Sequence, residues 1–211
     1  MKIVKRIAKK LASTKNGHKE SSFSTATVLS STAGTQEGFD ETFAWGRRLL
    51  LSRFNGQVLV HVREFVSMGE REFPTKKGVC FTPGRLSVLR GKIEEIDEAL
   101  RQQETNASYG VEAGPTLYKV HLGAGIYASV SENYNGVSLR RYWVPEGQLS
   151  AVPTRNGIYL PASQWRALKV KLEELMNAHP ELREAKECVN SHDSHMEMVE
   201  CRECMPFGWT L

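Results

Sequence analysis

Apolar and polar residues alternate along the middle of this chain in two periods, and the same order of periods appears twice. Leu49-Leu50-Leu51, an Asn55-Gly56 dipeptide, and then Val58, Val60 and Val62 predict a β-hairpin with its turn at Asn55-Gly56. A further strand is expected at Gly78 to Phe81, with Pro74 closing the loop before it. From about Pro83 to Gln103 the period lengthens: Leu86, Leu89, Ile93, Ile96 and Leu100 form one helical stripe, with Glu94, Glu95, Asp97 and Glu98 on the other side. The second pass has strand-like sequence over Leu117 to Val130 and Val137 to Val144, with a turn expected at Asn135-Gly136. It continues with a strand at Ile158 to Leu160 and a helix from about Pro161 to Ala178, striped by Trp165, Leu168, Leu172 and Leu175.

The two passes share a literal echo. Pro74-Thr75-Lys76-Lys77-Gly78-Val79-Cys80-Phe81 is repeated in type as Pro153-Thr154-Arg155-Asn156-Gly157-Ile158-Tyr159-Leu160, and Val62-Arg63-Glu64-Phe65 pairs with Leu139-Arg140-Arg141-Tyr142. A supersecondary unit present twice can bury its apolar stripes against its copy. The expected fold is therefore α+β: two repeats, each a curved antiparallel sheet followed by one helix, packed helix to helix as an intramolecular pseudo-dimer. The expected boundaries are a tail at 1–40, repeat one at 41–105, a linker at 106–116, repeat two at 117–182 and a Cys/His-containing segment at 183–211.

Charge changes this picture at one end only. The 211 residues carry a net +4, but residues 1–20 alone hold seven Lys/Arg against Glu20, so the remainder is −2. The basic start, with Ile3, Ile7 and Leu11 four apart, fits a nuclear import signal at residues 5–10, a mitochondrial presequence, a phosphate-touching arm or a solvated tail. Ser/Thr-rich sequence follows from Ser21 to Thr35. No apolar run reaches the length of a membrane helix, so no membrane partner is expected. There is also no secretory leader pattern, and the four cysteines are expected to be reduced.

No phosphate-binding Gly loop, Gly-x-Ser-x-Gly or His-Glu-x2-His motif occurs, and no catalytic residue is assigned. Gly123-Ala124-Gly125 is expected to mark a bulge or bend. The end of the chain reads Cys188-x3-His192-x2-His195-x5-Cys201-x2-Cys204. Cys201 and Cys204 can place two thiolates on one tetrahedral Zn²⁺, with Cys188 and either His192 or His195 completing the set. The same stretch also reads as a reduced, flexible tail, and no metal or other cofactor is assigned from sequence.

The run Phe54-Asn55-Gly56-Gln57-Val58-Leu59-Val60-His61-Val62-Arg63-Glu64-Phe65, with Lys76-Lys77-Gly78-Val79 and Glu94-Glu95-Ile96-Asp97-Glu98-Ala99, resembles the C-terminal domain of the positive cofactor 4 family. These are general coactivators of RNA polymerase II transcription. Repeat two resembles it through Asn135-Gly136, Leu139-Arg140-Arg141-Tyr142-Trp143, Arg155-Asn156-Gly157-Ile158 and Ala162-Ser163-Gln164-Trp165. The resemblance implies a four-stranded antiparallel sheet followed by one helix, dimerisation through that helix, and single-stranded DNA bound along the strand ridges. Two copies in one chain would be a covalent pseudo-dimer, monomeric as a chain.

The resemblance places nucleic-acid contacts at Phe54, Arg63, Lys76 and Lys77 in repeat one and at Tyr134, Arg140, Trp143 and Arg155 in repeat two. Aromatic and basic residues in this mixture suit unpaired bases, each stack being worth roughly 1–3 kcal/mol. Trp143 is expected to be the main stacking platform; repeat one has Val66 there. The implied partners are single-stranded DNA or RNA and the transcription machinery, and the implied compartment is the nucleus, with the mitochondrion as the alternative. A protein-interaction adaptor that kept the fold and lost the binding face is the other reading.

Overall fold

A computed structural model describes residues 38–109 and 116–208, without the side chains of 106–109. The amphipathic start, the Ser/Thr-rich stretch, most of the expected linker and Trp209 lie outside the described residues. Two four-stranded antiparallel sheets, ordered β1-β2-β3-β4 and β5-β6-β7-β8, each run directly into helix, so the order of elements repeats.

In repeat one the strands are β1 (Asp40–Ala44), β2 (Arg47–Phe54), β3 (Gln57–Met68) and β4 (Arg71–Phe81). The Asn55-Gly56 turn forms as expected, both residues having positive φ (49° and 78°), the backbone a two-residue hairpin needs. The expected tail and the start of repeat one are corrected by β1: Phe39 packs on the core, and its carbonyl accepts the Leu51 N–H at 2.8 Å. The Pro74 loop is also corrected. The turn between β3 and β4 is Gly69-Glu70, and Pro74 lies inside β4, which tolerates it because β4 is an edge strand. The first helical stripe is split into α1 (Pro83–Gly91) and α2 (Ile93–Tyr109), broken where Gly91 weakens the helix and Lys92 leaves it (φ −107°, ψ 1°). Thr82 caps α1 by accepting the Arg85 N–H, with Pro83 in the first turn.

Repeat two comprises β5 (Tyr118–Gly123), β6 (Ile126–Ser131), β7 (Tyr134–Trp143), β8 (Val152–Pro161) and α3 (Ala162–Ala178). Leu117 to Val130 is thus a hairpin rather than one strand, folded at Gly123-Ala124-Gly125. The expected Asn135-Gly136 turn is also corrected: both residues lie in β7, and the turn is Glu132-Asn133. Gly136 is required for another reason. A Cβ there would stand 2.3 Å from the Leu160 carbonyl oxygen and 2.7 Å from the Tyr159 hydroxyl.

One continuous core joins both repeats, from Leu49, Val60 and Phe81 through Ile96 and Leu100 to Leu139, Trp165 and Leu172. The helices cross over to make it. α2 lies against β6 and β7 of the other repeat, while α3 lies against β1 and β2 as well as its own β7 and β8. Helix meets helix through Asp97, which accepts the Trp165 indole N–H at 2.7 Å and pairs with Lys169. A short 3₁₀ turn at Pro180–Leu182, another at Cys188–Ser191 and α4 (His195–Glu200) complete the described chain.

Candidate nucleic-acid interface

The sequence echo has a structural cause. In repeat one Arg63 is opposite Gly78 and Phe65 is opposite Pro74, so Glu64 alone faces Thr75, Lys76 and Lys77. In repeat two Arg140 is opposite Gly157 and Tyr142 is opposite Pro153, so Arg141 alone faces Thr154, Arg155 and Asn156. Both edge strands therefore bulge by two residues at the same place.

The bulges are fastened identically. The Arg63 Nη1 donates to the Thr75 carbonyl at 2.8 Å, and the Arg140 Nη1 to the Thr154 carbonyl at 2.8 Å. Each threonine hydroxyl then accepts a backbone N–H two residues on, from Lys77 and from Asn156, at 3.1 Å. The glycines allow the close approach: a Cβ on Gly78 would stand 2.7 Å from the Val62 carbonyl oxygen, and one on Gly157 2.8 Å from the Arg140 Cβ. Pro-Thr-x2-Gly with a cross-strand Arg is thus one structural device, and it projects Lys76, Lys77 and Arg155 into solvent.

The bulges flank a groove between the two sheets, lined by Arg63, Lys76, Gly78, Arg85, Arg141 and Asn156. A second groove, on repeat two, contains Tyr134, Ser138, Arg140, Tyr142 and Tyr159. The aromatic expected contacts lie at strand ends and are well exposed: Phe54 at 65%, Tyr134 at 64% and Trp143 at 52%. Of the eight expected contacts, the grooves gather Arg63 with Lys76 and Tyr134 with Arg140; Phe54, Lys77, Trp143 and Arg155 line neither.

Tyr134 and Phe54 do not occupy equivalent positions in the two repeats. Phe54 is the last residue of β2 and Tyr134 the first of β7, on opposite sides of their turns. With the turn at Glu132-Asn133, Arg140 follows it by seven positions, as Arg63 follows Gly56. Repeat two differs in that Asn135-Gly136 faces no residue between Val130 and Ser131.

Several functional candidates were not read from the sequence. Lys119 on β5 places its ammonium 4.6 Å from the Tyr127 ring centroid and 3.9 Å from that of Tyr142, and burial lowers its pKa. In repeat one the cation over the equivalent aromatic comes from the second strand instead: the Arg48 guanidinium on β2 lies 4.9 Å from the Phe65 centroid. The two cations differ in their neighbours. Arg48 is paired with Asp40 (2.7 Å) and Glu72 (3.0 Å), and Glu64 pairs with both Arg47 and Lys77 at 3.0 Å. Lys119, Arg140, Arg141 and Arg155 form no ion pair among the described residues. Interleaved Lys119, Tyr127 and Tyr142 were a legible signal only once the β5–β6 hairpin was recognised.

At the chain end, Cys188, His192, Cys201 and Cys204 converge, their ligand-type atoms all within 4.8 Å of one another, whereas His195 lies outside the group at the start of α4.

Residues 43–91 match the family model "Transcriptional Coactivator p15 (PC4)". A protein of Arabidopsis thaliana, described as RNA polymerase II transcriptional coactivator KELP, is 30% identical over 59 residues, covering 28% of this chain and 36% of the relative. The similarity thus spans about a third of that relative's length. No solved structure shows significant similarity to the chain. The segment from Phe43 through α1 is a PC4-like domain, and the chain follows it with a second unit built in the same order.

Proposed function

We propose that this chain is a non-enzymatic, nuclear transcriptional coactivator that binds single-stranded nucleic acid across its two sheets, chiefly through repeat two. The observation that carries this reading is the duplicated bulge, which presents Arg155, beside Arg140 and Arg141, with no ion pair to a carboxylate among the described residues. Tyr142 with Lys119, and the exposed Trp143, supply π faces for unpaired bases. Lys76 and Arg63 extend the cationic surface into the groove between the sheets.

The test is fluorescence anisotropy with a labelled ~20-nucleotide single strand and its duplex, since stacking on unpaired bases is the claimed mode. It is run on the whole chain and on a form beginning at residue 38, which keeps Phe39 and β1 and removes the basic start. Preferential single-strand binding with quenching of tryptophan emission is expected from both forms. Arg140→Ala combined with Trp143→Ala should weaken it strongly; unchanged affinity in a folded variant would remove the site assignment.

Repeat one favours the second reading, a protein-docking surface. Its basic residues are largely neutralised, and its long β3–β4 hairpin exposes Val66, Met68 and Phe73. Salt-insensitive binding of a protein partner, with no binding of single strands, would select that reading.

A further inference from the structure

We infer that Cys188, His192, Cys201 and Cys204 form a structural Zn²⁺ site that clasps the two repeats together. The Cys188 Sγ lies 3.7 Å from the Cys201 Sγ and 3.6 Å from the His192 Nε2, which is 3.3 Å from the Cys204 Sγ. Zinc bonds of about 2.3 Å to sulfur and about 2.0–2.1 Å to nitrogen in a tetrahedron put donor atoms roughly 3.5–3.8 Å apart. The three separations, 3.3–3.7 Å, lie close to that spacing and far from the ~2.05 Å of a disulfide. Three thiolates and one imidazole are soft donors that select zinc over magnesium or calcium. The set also chooses between the two histidines: His192 belongs to it and His195 does not.

The fold around the site is consistent with a cross-link. From 183 to 208 the described chain buries little apolar side chain of its own beyond Val199, so its order needs another source. A metal bound only by the folded form supplies it. Two ligands flank the 3₁₀ turn Cys188–Ser191 and two follow α4, so the ion closes a short loop around that helix.

Glu203, between the last two ligands, reaches both repeats. Its carboxylate accepts Nε and Nη2 of Arg85 on α1, each at 2.5 Å, while its backbone carbonyl accepts the Ala124 N–H of the β5–β6 turn at 2.8 Å. Fixing Cys201 and Cys204 therefore fixes a contact that spans the halves. This inference is independent of nucleic-acid binding.

The experiment measures metal content and coordination in the whole chain purified under reducing conditions. About one equivalent of zinc per chain is expected. Replacing zinc with cobalt should give the strong visible absorption of a tetrahedral site and thiolate-to-cobalt charge transfer. His195→Ala should keep both signals and Cys204→Ser should lose the stoichiometric metal. Wild-type protein without stoichiometric zinc, or with weak octahedral cobalt absorption, overturns the inference whatever the variants do. So does a disulfide between these cysteines in the freshly purified chain, or loss of metal in His195→Ala with retention in Cys204→Ser.

Discussion

Repeat one and repeat two share a backbone device and differ in what stands opposite it. Glu64 faces the first bulge and Arg141 the second, so the same fastening carries a neutralised surface in one half and an open cationic one in the other. The cation over the aromatic differs likewise: Arg48 is held by two carboxylates and Lys119 by none among the described residues. Preserved backbone chemistry therefore says little about preserved binding. The charge of the facing residue and the pairing of the cation over the aromatic separate the halves.

The comparison can be broken first at the core, where the halves meet through unequal residues. Trp165→Ala removes a fully buried indole and leaves Lys169 as the remaining partner of Asp97, so a loss of about 3–5 kcal/mol is expected in denaturant unfolding. A loss below that of Leu86→Ala would show that Trp165 is not the main cross-repeat anchor. Next, Arg141→Glu gives repeat two the facing residue of repeat one. Roughly a ten-fold weaker binding of single strands at low salt is expected, with a shallower salt dependence. Glu64→Gln performs the opposite change, releasing Arg47 and Lys77; a several-fold gain in single-strand affinity at low salt is the expected reading. No gain would mean that repeat one lies off the nucleic-acid path.

The smallest expected effect is on pH. Burial, and then Arg63, lowers the pKa of His61 below 6.5; burial chiefly lowers that of His121 as well. A histidine with a lowered folded-state pKa takes up protons more readily when unfolded. Its stabilising effect is complete above about pH 6.5 and is lost as pH falls towards the folded value. His61→Gln and His121→Gln should each flatten that acid limb in thermal melts between about pH 5 and 7. His121 is held as an acceptor by the Gly125 N–H at 3.1 Å, so it should contribute through repeat two as His61 does through repeat one.

The helices and the duplication were legible in sequence because their signals are local: a stripe such as Leu86, Leu89, Ile96 and Leu100, and two copies of Pro-Thr-x2-Gly. The purpose of that motif was not legible, since Arg63 and Arg140 reach it from a neighbouring strand. β1 escaped notice because only Phe43 of its five residues is buried, too little to show alternation. Asn135-Gly136 misled because the dipeptide that signals a turn also serves where a tyrosine crowds the backbone. Arg63, Arg140, Lys76 and Arg155 were found from the resemblance, whereas Lys119 and Arg141 needed the paired strands.

The crossing of α2 and α3 has a consequence for how the chain is made. When α2 leaves the ribosome, the strands it covers, β6 and β7, have yet to emerge, and the end of α3 follows roughly 70 residues after α2 ends. At about 5–20 residues per second, the first half spends several seconds with its apolar surfaces uncovered. Nascent chains stalled after α2 should therefore be cleaved by protease where the released protein resists; equal resistance would show that the first half closes unaided. A molecule whose halves complete each other keeps apolar surface open during synthesis until α3 appears.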